Sequence, residues 1–179
     1  MSPTHELTLE HRRISTLLQV LDRLCRAVEV DVPRLECAVD LLATYADRLH
    51  HGKEERHLFP ALERAGLPRG HGPVQVMLEE HEEGRAGIDA LRAGVRALRA
   101  GRPATEVRVA GTRYVSLLRE HIEKEDEVLF PMAEELLGAS ARAELTRAFA
   151  QVDAEVGDPA GLAARIDALA AEVLRVARA

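Results

Sequence analysis

The string HHGKEERHLFP, residues 50 to 60, returns in altered form as HIEKEDEVLFP at residues 121 to 131. Aligned without gaps, His50 meets His121, Lys53 meets Lys124, Glu54 meets Glu125, and Leu58-Phe59-Pro60 meets Leu129-Phe130-Pro131. The duplication also reaches upstream, because nearly the same interval separates His11 from His50 as separates His81 from His121. Each copy reads as a helix with one inward histidine, followed by a helix bearing His-x-x-x-Glu and then Leu-Phe-Pro. Two similar helical hairpins must therefore form, and hairpins with apolar seams bury them by packing together. The expected fold is all-α: an up-down-up-down four-helix bundle over residues 1–138, with a C-terminal helical extension over 139–179.

The seams support this reading. Leu7, His11, Ile14, Leu18, Leu21, Cys25 and Val28 recur in steps of three and four, which predicts a first helix from about Thr4 to Val30. Asp31-Val32-Pro33 supplies a cap and an early proline for a second helix reaching about Ala65, with its stripe through His50, Glu54, His57 and Ala61. A third helix is expected from about Val74 to Ala100. A fourth, from about Pro103 to Leu137, turns Tyr114, Leu118, His121, Glu125, Val128 and Met132 inward. Aromatics make up only 3% of the chain and Trp is absent, so the β-branched and aromatic runs of strands are missing. The extension splits at Gly157-Asp158-Pro159, and Leu162, Ile166, Leu169, Val173 and Val176 give its last helix an apolar face. It is expected to pack on the bundle or on a partner subunit, which leaves a homodimer open.

Charge and composition exclude several partners. The net charge of −6 carries no basic stripe interleaved with aromatics, so nucleic acid is not expected. The first residues lack the apolar core of a secretory signal, and no stretch approaches the roughly 20 apolar residues of a membrane span. Cys25 and Cys37 are isolated, with no Cys-x-x-Cys pair, and read as plain buried thiols. The expected setting is cytoplasmic.

The repeated polar residues carry the chemistry. Residues four apart share a helix face one turn apart, so an imidazole and a carboxylate at that spacing can hold one ion, or the carboxylate can join two. Two such pairs facing each other, each with a histidine from a further helix, make a binuclear site in a bundle core geometrically natural. Without a metal, four imidazoles and two carboxylates in a core would be costly. Imidazole plus carboxylate, without thiolate, suits iron, manganese or zinc.

These residues resemble a known family, the haemerythrin-like or HHE cation-binding domains. The resemblance rests on LEHRRI around His11, HHGKEERHLFP, GPVQVMLEEHEEGR around His81, and HIEKEDEVLFP, and covers roughly residues 5 to 137. It implies a non-haem centre of two iron ions bridged by carboxylates and by oxo or hydroxo, with zinc or manganese ranking behind iron. His11, His50, His81 and His121 would be terminal ligands, and Glu54 and Glu125 would bridge. Oxygen-carrying haemerythrins use a pair of histidines one turn apart on the third helix and an Asp on the fourth. Here Met77 and Arg85 flank His81, and Glu125 stands in place of the Asp. The pattern is closer to members linked to nitric oxide, peroxide, oxygen sensing or repair of damaged iron centres.

Three function classes stay open. One is an oxidoreductase with catalase-like, NO-reducing or iron-repair activity, drawing on an external electron donor. The others are a sensing module for oxygen, redox state or NO, and a metal-handling protein without turnover. Around the core set, His57 lies on the stripe one turn beyond Glu54, and a fifth-ligand or supporting role is weighed against simple packing. His51 sits one position off that stripe and ranks lower. Tyr114, two turns before His121, either hydrogen-bonds near the metals, gates access or packs. Among Glu79, Glu80, Glu82 and Glu83, one could orient a ligand imidazole. The run Lys53 to Arg56 reads as a mostly solvated face, and the Leu-Phe-Pro strings as packing and helix-end devices.

Overall fold

The computed structural model describes residues 2–175. Helix α1, Pro3–Arg26, begins where the Ser2 hydroxyl accepts the His5 amide and Pro3 occupies the first turn. It stops short of the expected Val30. Asp31 caps the next helix by accepting the Arg34 amide, and Pro33 follows. The backbone leaves the helix at Ala27, where ψ is 144°, so Val28 departs from the seam and is 96% exposed.

Helix α2 is continuous over residues 32–64 but not uniform. Val32–Leu41 is α-helical, Leu42–His51 and Glu54–Leu58 are π-helical, and Phe59–Arg64 is α-helical again. Helix α3 is Pro73–Arg99. Helix α4 covers residues 105–136, with a π segment, Glu125–Leu129, between α-helical Thr105–Lys124 and Phe130–Leu136. The extension forms α5, Ala139–Val156, and α6, Pro159–Arg175. Pro60 and Pro131 do not end their helices; each is separated from the end of a π segment by one residue. The wider i→i+5 turn gives up the hydrogen bond and the space that a proline would violate in a regular helix.

Two apolar layers sandwich a polar one, and the order of the layers gives the topology. One apolar cluster contains Ile14, Leu49, Ile88 and Leu118; the other contains Leu7, Leu58, Met77 and Leu129. Along α1 the order is Leu7, His11, Ile14; along α2 it reverses to Leu49, His50, Glu54, Leu58. It reverses again on α3 (Met77, His81, Ile88) and on α4 (Leu118, His121, Glu125, Leu129). The four helices thus run alternately up and down, and the histidines and glutamates share one level. Close packing is allowed by small residues: a Cβ at Gly111 would stand 2.5 Å from the Sγ of buried Cys25.

The last two helices lie on the bundle. Leu145 and Phe149 of α5 join the second cluster, and Leu162, Ile166, Leu169 and Val173 of α6 join the first. Val176, assigned by its spacing to the same face, lies outside the described residues. Cys25 and Cys37 are both free; Cys25 is buried and Cys37 only partly so. Among the described residues, no helix is long and apolar enough to cross a membrane.

Candidate metal centre

The polar layer brings together side chains from all four bundle helices. His11, His50, Glu54, His81, His121 and Glu125 are each no more than 2% exposed. Donor atoms of His11, His50, Glu54 and Glu125 lie within 4.8 Å of one another, and so do those of His51, Glu54, His81 and His121. Glu54 belongs to both groups. Glu125 Oε2 lies 3.2 Å from His11 Nε2 and 3.3 Å from His121 Nε2, so its carboxylate also touches both.

His51 is in this layer and His57 is not. His51 is 3% exposed and its ring stacks on that of His81 at 3.8 Å between centroids. His57 is only partly buried and lines a surface cleft with Arg56 and Arg64, between α2 and α5. The π-helical turns explain the exchange. An i→i+5 turn holds about one more residue than an α-turn, so a position judged one step off an α-helical stripe swings inward and the following one swings out. The same shift in α4 leaves Val128, placed on the inward seam, 50% exposed, with Leu129 buried in its stead.

Four of the five imidazoles are aimed by a carboxylate behind them. Nδ1 of His11 donates to Asp126 (2.9 Å), that of His50 to Glu10 (2.9 Å), that of His81 to Glu55 (2.7 Å), and that of His121 to Glu80 (3.0 Å). A carboxylate can only accept, so Nδ1 carries a proton and Nε2 is the ring atom that faces the centre. For His51, Asp47 Oδ1 stands 3.6 Å from Nδ1. Glu80 is the member of the acidic run that orients a ring, and the ring is that of His121 rather than its neighbour His81. Phe130 stacks on His11 at 5.2 Å and Phe59 on His81 at 5.7 Å. The Leu-Phe-Pro strings therefore wall the site as well as packing the core.

The charge run reads differently in three dimensions. Lys53, expected on a solvated face, is 1% exposed and donates to Glu6 and Glu10 at 2.7 and 2.6 Å. Sequence reasoning missed Glu10, Glu55 and Asp126 as well, though the repeat carried the signal. Glu10-His11 matches Glu80-His81, and Glu54-Glu55 matches Glu125-Asp126. Tyr114 is buried in the apolar layer beyond the polar one. Burial pushes its hydroxyl pKa up, and the ring packs so close to Gly87 that a Cβ there would be 2.8 Å away.

The layer's electrostatics call for a cation. Burial and the adjacent Glu125 drive the Glu54 carboxyl well above the usual carboxylate range. Burial also opposes charge on Glu125, but His121 and His11 hold it well below that range. Against the same burial, Glu125 and Glu80 raise His121 to about 9, and Asp126 and Glu125 raise His11. Burial holds His50 and His51 well below 6.5. Both oxygens of Glu54, Oε1 of Glu125, Nε2 of His50 and both ring nitrogens of His51 are buried without a hydrogen-bond partner. Each such group costs about 1–3 kcal/mol if left unsatisfied. Inward Nε2 atoms, orphaned oxygens and a nitrogen–oxygen donor set without thiolate fit divalent iron, manganese or zinc.

Comparison with known proteins agrees with this chemistry. The chain is 34% identical over 88 residues to the iron-sulfur cluster repair protein YtfE of Edwardsiella ictaluri, covering 47% of this chain and 40% of that one. It is 30% identical over 139 residues to the protein of the same name in Dickeya chrysanthemi, covering 72% of this chain and 63% of the relative. Over 97 residues it is 35% identical to the iron-sulfur cluster repair protein DnrN of Neisseria gonorrhoeae, covering 50% and 61%. The chain thus spans less than two thirds of the length of each of these three relatives. The family model described as Hemerythrin HHE cation binding domain matches residues 2–133, and the chain belongs to that family.

Proposed function

We propose that this chain is a di-iron protein that binds or reacts with O2, peroxide or NO, in the service of protecting or repairing iron centres. One observation carries the reading: two groups of buried donors, each within 4.8 Å, share Glu54, and several of their atoms lack any hydrogen-bond partner. In this reading His11, His50, Glu54 and Glu125 would hold one ion, while His51, His81, His121 and Glu54 would hold the other. His51 would enter as the fifth imidazole, and Glu125 also touches His121 of the second group.

Held by these residues, two ferrous ions would supply electrons for a small oxidant or a binding position for NO. The protein's own residues set the conditions. Asp126, Glu10, Glu55 and Glu80 fix a proton of each facing imidazole on Nδ1 and so leave Nε2 as the atom that would take a metal. Phe59 and Phe130 keep water from two of the rings. The apolar layers above and below restrict entry to small ligands. The relatives named for iron-sulfur cluster repair support the physiological assignment. The proposal includes a cytoplasmic location, where Cys25 and Cys37 would stay reduced.

Metal analysis with optical spectra of the aerobic protein tests the reading. Two irons per chain with oxo-bridge charge-transfer bands are expected. Zinc alone, or one ion per chain, overturns the di-iron chemistry. NO and peroxide added to the ferrous protein should then change those spectra; inertness to both would leave a metal-handling protein.

A further inference from the structure

The two halves of the site are copies, but their supports differ. In the first half, one oxygen of Glu10 accepts from His50 Nδ1 (2.9 Å) and the other from Lys53 Nζ (2.6 Å). In the second, Glu80 likewise joins His121 Nδ1 to Lys124. The sequence repeats this relay residue for residue. Its surroundings are not repeated: the Lys124 side chain is 44% exposed, while that of Lys53 is 1% exposed.

The extension makes this difference. Asp153 of α5 places Oδ1 2.7 Å from Lys53 Nζ, and the Phe149 ring lies 5.7 Å from the same ammonium. Val152 packs by Gly52, one residue before the lysine. A buried ammonium needs its counter-charges, and Glu6, Glu10 and Asp153 supply them. So held, the ammonium anchors the Glu10 carboxylate. Glu10 in turn fixes the plane and tautomer of the His50 ring. The second relay ends in water, where a lysine retains its rotamer freedom and its ion pair contributes little.

We propose that Lys53 is a positioning residue through which helix α5 tunes the ion position of His11 and His50, leaving that of His81 and His121 untouched. The inference rests on the binuclear reading above and assigns the extension a role in it. The two ions become unequal because one relay is clamped by α5 and the other is open. Coupling of this kind is reciprocal, so occupancy of the first position also strengthens the seating of α5.

Cobalt(II) titrated into the metal-free 179-residue chain, followed by visible absorption and calorimetry, tests this without relying on activity. The native chain should bind two ions. Asp153→Ala, at a side chain 34% exposed, should weaken one of the two steps by about 3- to 10-fold and shift its absorption bands, leaving the other unchanged. Lys53→Met should weaken the same step by about 10- to 100-fold, and Lys53→Arg should recover part of that. Lys124→Met should move the other step, and by less. Arg56→Ala, which breaks the exposed contact to Glu155 of α5 and leaves Lys53 alone, should move neither.

Native binding at both steps in Asp153→Ala overturns the proposal. So does equal weakening of both steps, or the same shift in Arg56→Ala, since either would make α5 a general scaffold. If the native chain binds no pair of ions, the binuclear reading itself fails, and the proposal with it.

Discussion

At the scale of single residues, Glu54 and Glu125 look equivalent in the repeat but are not equivalent in space. Glu54 belongs to both donor groups, whereas Glu125 belongs to one and touches the other only through His121. Glu54→Ala should therefore abolish binding of the pair, giving no more than one ion per chain by metal analysis. Glu125→Ala should weaken chiefly the His11 and His50 position. His51 and His57 offer a sharper contrast. His51→Ala removes a buried imidazole from a donor group and should weaken one binding step by about 10-fold or more. His57→Ala, at a partly buried position by the surface cleft, should change either step by less than about twofold. Isothermal titration with a divalent metal checks both, and a larger effect from His57 would reverse the assignment. Six donors were legible because the repeat prints three positions twice: His11 and His81, His50 and His121, Glu54 and Glu125. His51 faces Ile122 in the other copy, so its role had no echo. Glu10, Glu55 and Asp126 did have one, but surface acids are so common that adjacency to a ligand was a weak signal.

At the scale of elements, what the sequence hid was the local pitch. Helical periodicity assumes one residue spacing throughout, and three π segments break it at the level of the site. That one physical fact moved His51 in, moved His57 and Val128 out, and let Pro60 and Pro131 sit inside continuous helices. The helices themselves were legible, since caps and seams are local. The extension was legible only as two amphipathic helices, because its spacing names no partner surface. Its apolar face lies in the core: Ile166 is fully buried there, with Leu162, Leu169 and Val173. Ile166→Ala should destabilise the fold by about 2–5 kcal/mol in urea unfolding, with m unchanged. It should leave metal stoichiometry intact, because Ile166 lies in the apolar layer and has no part in the polar one. A loss of metal alongside the loss of stability would show that α6 reaches the centre.

At the scale of the whole molecule, the layered design sets stability and metal affinity against each other as pH changes. The bundle topology follows from four alternating layer orders, but the cost of the polar layer depends on what occupies it. In the metal-free protein His121 is raised from 6.5 to about 9, with Glu125 and Glu80 overcoming the effect of burial; His11 is also raised, through Asp126 and Glu125. A group whose pKa is higher folded than unfolded stabilises the fold fully below the unfolded value, and that contribution is lost as pH rises through the folded value. His50 and His51 are depressed, so their contribution is lost only as pH falls below 6.5, and above it they are constant. Between pH 6.5 and about 9, the melting temperature of the metal-free chain should therefore fall. Metal binding needs Nε2 of His11 and His121 and the Glu54 carboxylate unprotonated. Over the same window affinity should rise, and each uptake should release protons measurable with an indicator dye in weak buffer. His121→Gln, which cannot titrate, should flatten the melting-temperature decline of the metal-free chain and reduce the proton release by up to one per chain. A metal-free melting temperature that climbs between pH 6.5 and 9 would mean that the polar layer is held by something other than the shared protons of His121, His11 and Glu54.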